Sequence, residues 1–212
     1  MRFLLVRALV VVSGIAPVAL AAPMEYFANG HAYEIIVADG ITWQDANAAA
    51  KASSYMGVAG HLATITTAGE DGFIEALRVA ASPAADPTSG FYDNEVWLGG
   101  YQDVLGTEPG GGWWWVNDEG LIPMTGTSDY SNWRHDEPNN YPHPQAGGEE
   151  YVALGLRGDF AWNDEGNLDG IFGYAVEYDF VMDSVSEPAS LALLGLGVAG
   201  LAVAHRRRRD GH

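Results

Sequence analysis

The distribution of helix and strand signals along the chain most constrains its fold. Between residues 31 and 82, two amphipathic helical patterns alternate with short strand patterns. From residue 95 onward the chain changes to short aromatic strands that are separated by segments rich in Gly, Pro, Asn and Asp. Two early helices followed by many short strands and one long loop region predict an α+β domain.

Both predicted helices have recognisable starts. Thr42 is a candidate N-cap for the first helix, and Trp43, Ala46 and Ala50 recur at the spacing of one helix face. Thr67 opens the second helix, and the acidic residues that follow it suit the positive end of the helix dipole. Each helix is therefore expected to pack one face on a sheet.

The strand patterns are short. "HAYEIIVA" at 31–38 and "GHLATI" at 60–65 are expected to be strands, and "EVWLGGY" at 95–101 is expected to be a strand that Gly99 and Gly100 stop. A later aromatic strand contains three consecutive tryptophans at 113–115. We expect these tryptophans to serve in packing rather than as a platform for a sugar ring, because aromatic side chains dominate protein cores.

The N-terminal residues 1–21 are typical of a secretory signal peptide. Two arginines precede an apolar run, and the small-residue pattern Ala19-Leu20-Ala21 predicts cleavage after Ala21. The alternative is a membrane anchor. Gly14 and Pro17 interrupt the run, which is shorter than the ~20 residues that a membrane-spanning helix needs.

The C-terminal residues 181–212 form a second processing segment. Ser186-Glu187-Pro188 precedes an apolar stretch at 189–204, and four arginines follow at 206–209. The arginines would stay on the cytoplasmic side, so the body would lie across the membrane. The pattern resembles the PEP-CTERM sorting tail of exported Gram-negative proteins, which implies a short transmembrane segment and removal by an exosortase. An ordinary C-terminal anchor is the alternative.

The region between the ends is strongly acidic and contains no cysteine. Between residues 22 and 187 there are four basic and 27 acidic residues, a net charge near −23. Nucleic acid is excluded as a partner because phosphate binding needs a basic surface, whereas cations suit such a body. The lack of cysteine excludes thiol chemistry, zinc–thiolate sites and iron–sulfur clusters.

The stretch "NWRHDEPNN" at 132–140 contains the clearest candidate for a binding site. Glu137 and Asn139 are hard oxygen donors on either side of Pro138, which suits calcium. The alternative is a simple turn, since Asp, Pro and Asn all favour turns. His135 and His143 flank the motif and could bind a transition metal instead, although oxygen donors of the calcium type outnumber them.

Over residues 29–179 the order of the short motifs resembles the C-type lectin domain. The motifs that carry this resemblance are "TWQDANAAA", "GHLATI", "VWLGGYQD", "GWWWVNDEG", "NWRHDEPNN", "GEEYVAL", "WND" and "GYAVEYD". The resemblance implies a C-type lectin-like fold for residues 22–180, with two helices, short antiparallel strands and a long functional loop.

The resemblance also implies a calcium site that binds sugar. Its ligands would be Glu137, Asn139, Glu149, Asn163 and Asp164. It further implies that the bond between Glu137 and Pro138 is cis, a geometry that is rare except before proline. Calcium takes six to eight oxygen ligands, so these side chains would leave places for water or sugar hydroxyls.

Two departures from the family pattern affect this interpretation. The segment before Glu149 is longer than usual, so Glu150 is a neighbouring candidate ligand. The positions of the four core cysteines of the family hold other residues, namely Ala50, Tyr151, Asn167 and Val176. Because all four are replaced together, no unpaired thiol remains.

These patterns predict an exported, calcium-dependent carbohydrate-binding module at the cell surface or in a secreted matrix. The Glu-Pro-Asn order resembles the version that accepts mannose-type sugars. The alternative is a domain of the same fold that binds protein or has a structural role in the matrix. No enzymatic activity is expected: paired carboxylates can hydrolyse glycosides, but no nucleophile elbow, phosphate loop or triad pattern accompanies these.

Overall fold

The computed structural model describes residues 22–81, 94–103, 105–124, 126–127, 129–142, 148–155, 160–167 and 171–180. The predicted signal peptide, the sorting tail with its apolar stretch at 189–204, and His143 lie outside these ranges. Neither helix in the described part of the chain is long and apolar enough to cross a membrane.

The described residues form two helices and nine strands, which confirms the predicted α+β class. The helices are α1 (Trp43–Ala52) and α2 (Ala68–Ala81). The strands are β1 (Met24–Tyr26), β2 (His31–Val37), β3 (Ser54–Tyr55), β4 (Val58–Leu62), β5 (Val96–Gln102), β6 (Trp113–Trp115), β7 (Tyr151–Leu154), β8 (Trp162–Glu165) and β9 (Gly173–Tyr178).

One mixed sheet connects the two ends of the domain. Its main path runs β1-β2-β9-β5-β7-β8, with β4 also paired to β9 and β6 to β5. All of these pairs are antiparallel except β5 with β9, which is parallel. Because β2 pairs with β9 over six residue pairs, the first and last parts of the domain lie side by side.

The first helix starts and packs as predicted. The Thr42 side chain accepts a hydrogen bond from the backbone N–H of Asp45, which satisfies one free donor at the helix start. Trp43, Ala46 and Ala50 are buried. The indole N–H of Trp43 donates to a carbonyl oxygen of β5, so this face of α1 is held on the sheet.

The prediction that Gly99 and Gly100 stop a strand is wrong, because β5 continues through both residues to Gln102. The glycines serve close packing instead. A Cβ atom at Gly99 would lie 2.7 Å from the backbone oxygen of Leu62, and one at Gly100 would collide with the side chain of Val152. Neighbouring segments thus approach the middle of β5 more closely than a side chain would allow.

The tryptophans form much of the core, as predicted. Trp113 and Trp115 are buried, whereas Trp114 between them is 37% exposed. Trp133 packs edge-to-face against Trp113 and against Trp162, with ring centroids 5.0 and 6.0 Å apart. These rings pack together in the core. Trp133 lies four residues before Glu137, so this packing anchors the start of the loop that contains Glu137.

Candidate calcium site

The loop at 137–140 is anchored through Trp133 and Trp162. These two residues form an isolated parallel bridge, in which Trp162 N donates to Asn132 O and Arg134 N donates to Trp162 O, both at 2.8 Å. Asn163 and Asp164 follow Trp162 directly in β8. The bridge therefore places the Glu-Pro-Asn segment beside the Trp-Asn-Asp segment.

Asp71 of α2 stabilises this bridge through three hydrogen bonds. Its carboxylate accepts from Trp162 Nε1 at 2.9 Å, from Asn132 Nδ2 at 2.6 Å and from the Tyr130 hydroxyl at 2.8 Å. Asp71 is 5% exposed. Asp71 was not predicted as a site residue, because it shares no sequence motif with the loop that it supports.

The Glu-Pro-Asn segment has a compact conformation. The bond between Glu137 and Pro138 is cis, as the resemblance implied. The Glu137 backbone N–H donates to Arg134 O at 3.0 Å, and Asn139 Nδ2 donates to Glu137 Oε2. The two predicted ligand side chains thus lie against each other, and the amide oxygen of Asn139 is left for another partner.

Asp164 fastens this segment to β8. Its side chain is completely buried. One carboxylate oxygen accepts from Asn139 N at 3.0 Å and the other from Asn140 N at 2.7 Å. Asp164 therefore holds the loop through two backbone hydrogen bonds, in addition to its predicted role as a ligand.

Glu149 joins the same network from the other side of the loop. It is 5% exposed, its Oε2 accepts from Tyr141 N at 2.7 Å, and its own N–H donates to Asn140 Oδ1 at 3.0 Å. These contacts favour Glu149 as the ligand.

Asn163 presents a buried acceptor with no partner. The residue is 4% exposed, and its Nδ2 donates to Glu165 Oε1 at 2.5 Å. Among the described residues, its Oδ1 accepts no hydrogen bond. A buried oxygen without a partner is costly, so this atom calls for a ligand. Glu165 orients the amide of Asn163 but was not predicted as a site residue. Its position two residues after Asn163 in the same strand would have placed it on the same face of the sheet.

The charges of the site also call for a cation. Burial and then the negative charge of Asp164 raise the pKa of Glu137, and burial raises the pKa of Asp164 against the opposing effect of its two backbone donors. The guanidinium of Arg134 lies 3.8 Å from Glu137 Oε1. Burial destabilises the charged forms of these carboxyl groups, and a divalent ion would balance their negative charge.

The donor set fits calcium. Three carboxylates and two carboxamides supply hard oxygen atoms, and the free Oδ1 of Asn163 is one of them. His135, which could have indicated a transition-metal site, is 95% exposed and is hydrogen-bonded to Asp136 at 2.7 Å. Its partner in that prediction, His143, lies outside the described residues.

Comparisons with known structures identify the fold. The C-type lectin CEL-I from Cucumaria echinata is 19% identical, with a TM-score of 0.52 over 79% of this chain and 99% of that one. The human scavenger receptor C-type lectin carbohydrate-recognition domain is 23% identical, with a TM-score of 0.51 over 74% and 95% of the two chains. The chain therefore has the C-type lectin-like fold.

Two sequence comparisons add to this result. Halomucin from Haloquadratum walsbyi is 27% identical in an alignment of 190 residues that covers 86% of this chain, and the chain spans only 2% of the length of that relative. The family described as the PEP-CTERM protein-sorting motif matches residues 184–209. The chain thus carries a PEP-CTERM sorting motif next to a domain of the C-type lectin-like fold, and the motif indicates an exported protein of the cell envelope.

Proposed function

We propose that the domain binds carbohydrate through a calcium ion held by the loop at 137–140 and by β8. The five ligands are Glu137, Asn139, Glu149, Asn163 and Asp164. One observation carries the proposal: among the described residues no group donates a hydrogen bond to the buried Asn163 Oδ1 atom, which lies beside a loop that is fastened by a buried carboxylate. Calcium would give this oxygen a partner and would balance the neighbouring carboxylates.

Sugar binding follows from the incomplete protein shell. Five side chains leave calcium with open positions, and two neighbouring hydroxyls of one sugar can fill them. Asn139 is exposed, so a sugar can reach the loop on its side, whereas the side chain of Glu137 is only 4% exposed. We propose mannose-type sugars because the acid stands before the proline and the amide after it, the order associated with equatorial 3- and 4-hydroxyls.

Competition on immobilised mannan tests the function. The protein should bind mannan with calcium and be released by chelator, and free mannose should compete better than free galactose. The double variant Glu137→Gln, Asn139→Asp should reverse this preference, since it exchanges the order of acid and amide. Asp136→Asn is the matched control, because Asp136 is exposed in the same loop and should leave binding unchanged.

Two results would contradict this proposal. Mannan binding that survives chelation, or a preference for galactose in the unmodified protein, would show that these ligands are assigned wrongly. If calcium raises the melting temperature but no glycan binds, the domain instead binds protein or has a structural role in the matrix.

We also propose the processing of both ends. A signal peptidase would remove residues 1–21, and an exosortase in a Gram-negative host would remove the tail from about residue 188, after the apolar segment at 189–204 has held the chain in the membrane. The intact mass of the protein isolated from its host tests both cuts. Retention of the four arginines at 206–209 would contradict removal of the tail.

A further inference from the structure

A second cluster of possible metal ligands lies where β2, β4 and β9 meet. It consists of His31 at the start of β2, His61 in β4, and Glu177 and Asp179 at the end of β9. In the register of the sheet, Glu177 is paired with His61 on one side and with Tyr33 on the other. The cluster shares no residue with the candidate calcium site.

The ligand atoms of His31, Glu177 and Asp179 all lie within 4.8 Å of one another, and His61 adjoins this group through Asp179. His31 Nδ1 lies 2.6 Å from Glu177 Oε1 and 3.5 Å from Asp179 Oδ1, and His61 Nε2 lies 3.0 Å from the same Asp179 oxygen. In a tetrahedron with metal–ligand bonds of about 2.0–2.1 Å, neighbouring ligand atoms are about 3.3 Å apart. Small side-chain shifts would therefore admit an ion between these atoms.

The His61 ring is oriented as a metal ligand. Its Nδ1 lies 2.8 Å from the carbonyl oxygen of Leu62. A carbonyl oxygen only accepts hydrogen bonds, so Nδ1 carries a hydrogen. Nε2 faces a carboxylate oxygen of Asp179 at 3.0 Å, which is also an acceptor, so without an ion Nε2 carries a hydrogen as well, and a bound metal would replace it. Histidines that bind metals commonly donate their second ring nitrogen to a backbone carbonyl in this way.

Glu177 is held rigidly in place. It is completely buried, and its Oε2 accepts from both the backbone N–H and the hydroxyl of Thr64, at 2.9 and 3.0 Å. The Tyr33 hydroxyl donates to Oε1 at 2.9 Å. The carboxylate is thus preorganised, and Oε1 is presented toward His31.

The cluster is open to solvent on one side. Asp179 is 44% exposed, whereas the side chains of His31 and His61 are 22% and 14% exposed. An ion could therefore enter over Asp179 and be enclosed by the other three groups. Calcium prefers an all-oxygen shell, whereas two imidazole nitrogens with two carboxylates suit zinc and related ions.

We infer that His31, Glu177 and Asp179, with His61 beside Asp179, form a zinc-type metal site that joins β2, β4 and β9. Such a site would have a clear physical use here. The chain contains no cysteine and so has no disulfide, and a metal bound only by the folded form adds its binding free energy to stability. The ion would also reduce the negative charge around Glu177 and Asp179.

Zinc and cobalt titrations of the full chain test this site. The protein should be purified without a histidine tag, stripped with chelator and kept in excess calcium, so that the loop at 137–140 is saturated. We expect one zinc ion per chain by calorimetry. We also expect a cobalt visible spectrum of the tetrahedral type that zinc abolishes.

Single variants should identify the ligands. His31→Gln and His61→Gln should each weaken zinc binding by at least about tenfold. His135→Gln, at the exposed histidine of the other loop, should leave it unchanged. The inference is overturned if zinc does not bind stoichiometrically, if His135→Gln is the variant that removes binding, or if neither His31→Gln nor His61→Gln weakens it. If both variants fail to fold, the cobalt spectrum of the unmodified chain decides: an octahedral spectrum would refute the site.

Discussion

Asp164 is expected to stabilise the domain even in the absence of calcium. Its buried carboxylate accepts from the backbone N–H groups of Asn139 and Asn140, so Asp164→Ala removes both acceptors at once. A hydrogen bond to a charged group contributes about 1.5–3 kcal/mol. Part of this gain is offset in the unmodified protein, because burial raises the pKa of Asp164 and because burial and the negative charge of Asp164 raise the pKa of Glu137.

The net loss for Asp164→Ala in chelator should be about 2–4 kcal/mol of unfolding free energy, a large part of the about 5–15 kcal/mol of a typical domain. Asp164→Asn should lose less, because the amide oxygen keeps one acceptor and the charge is gone. Calcium at a hundredfold excess over its dissociation constant should add about 2.7 kcal/mol to the unmodified protein and nothing to either variant.

Urea unfolding with calcium and with chelator measures both effects. Asp136→Ala is the matched control, since Asp136 is exposed in the same loop and should stay within about 0.5 kcal/mol. If Asp164→Ala is as stable as the unmodified protein in chelator, the two backbone hydrogen bonds do not hold the loop. If Asp164→Asn keeps the full response to calcium, Asp164 is not a ligand.

Three further predictions concern the core. Gly99→Ala should cost about 1–3 kcal/mol in urea unfolding, because its Cβ would lie 2.7 Å from a backbone oxygen of the neighbouring strand; an unchanged midpoint would contradict this packing. Arg78→Ala should lower the free energy of unfolding by about 3–5 kcal/mol. Arg78 is 1% exposed, and its guanidinium donates to the buried Glu75 at 2.6 and 2.7 Å, so the variant would leave this carboxylate buried without its partner. Lys51→Ala, at an exposed position, is the control and should have little effect. Burial raises the pKa of Asp71 in the folded state above its value in the unfolded state. As the pH falls, the folded state therefore binds a proton at Asp71 before the unfolded state does. The contribution of Asp71 to the free energy of unfolding increases until the pH reaches the pKa of the unfolded state. In chelator, Asp71→Asn should therefore gain less stability than the unmodified protein as the pH is lowered from neutral toward the ordinary aspartate pKa of 3.8; equal gains would show that the pKa of Asp71 is not raised in the folded state.

Local features were predictable where the interactions that determine them lie within one short segment of the chain. Thr42 caps α1 because its hydroxyl reaches a backbone N–H three residues away, and Trp43, Ala46 and Ala50 share a face because of the helical repeat. The Glu-Pro-Asn motif likewise identified the candidate site by residue type and order. The resemblance to a known domain added the expected cis bond, which the structure contains.

Other features depended on segments that are remote in the chain. Gly99 looked like a strand terminator because the close approach of another segment cannot be read from the residues around it. The choice between Glu149 and Glu150 depended on which carboxylate reaches the Tyr141 backbone N–H. Asp71 supports the loop from a helix about 60 residues earlier in the chain, and no local pattern connects the two.

The sequence by itself determined the α+β class, the two helices, the acidic and cysteine-free character, and the oxygen donors of the loop, because each follows from composition or from neighbours within a few residues. Only the tertiary structure decided how Asp164 fastens that loop and that His31 meets Glu177, 146 residues away. The physical reason is that such contacts arise from the pairing of β2 with β9 and from the bridge between Trp133 and Trp162, and a strand's own alternation shows which face a side chain takes but not which distant segment it will meet.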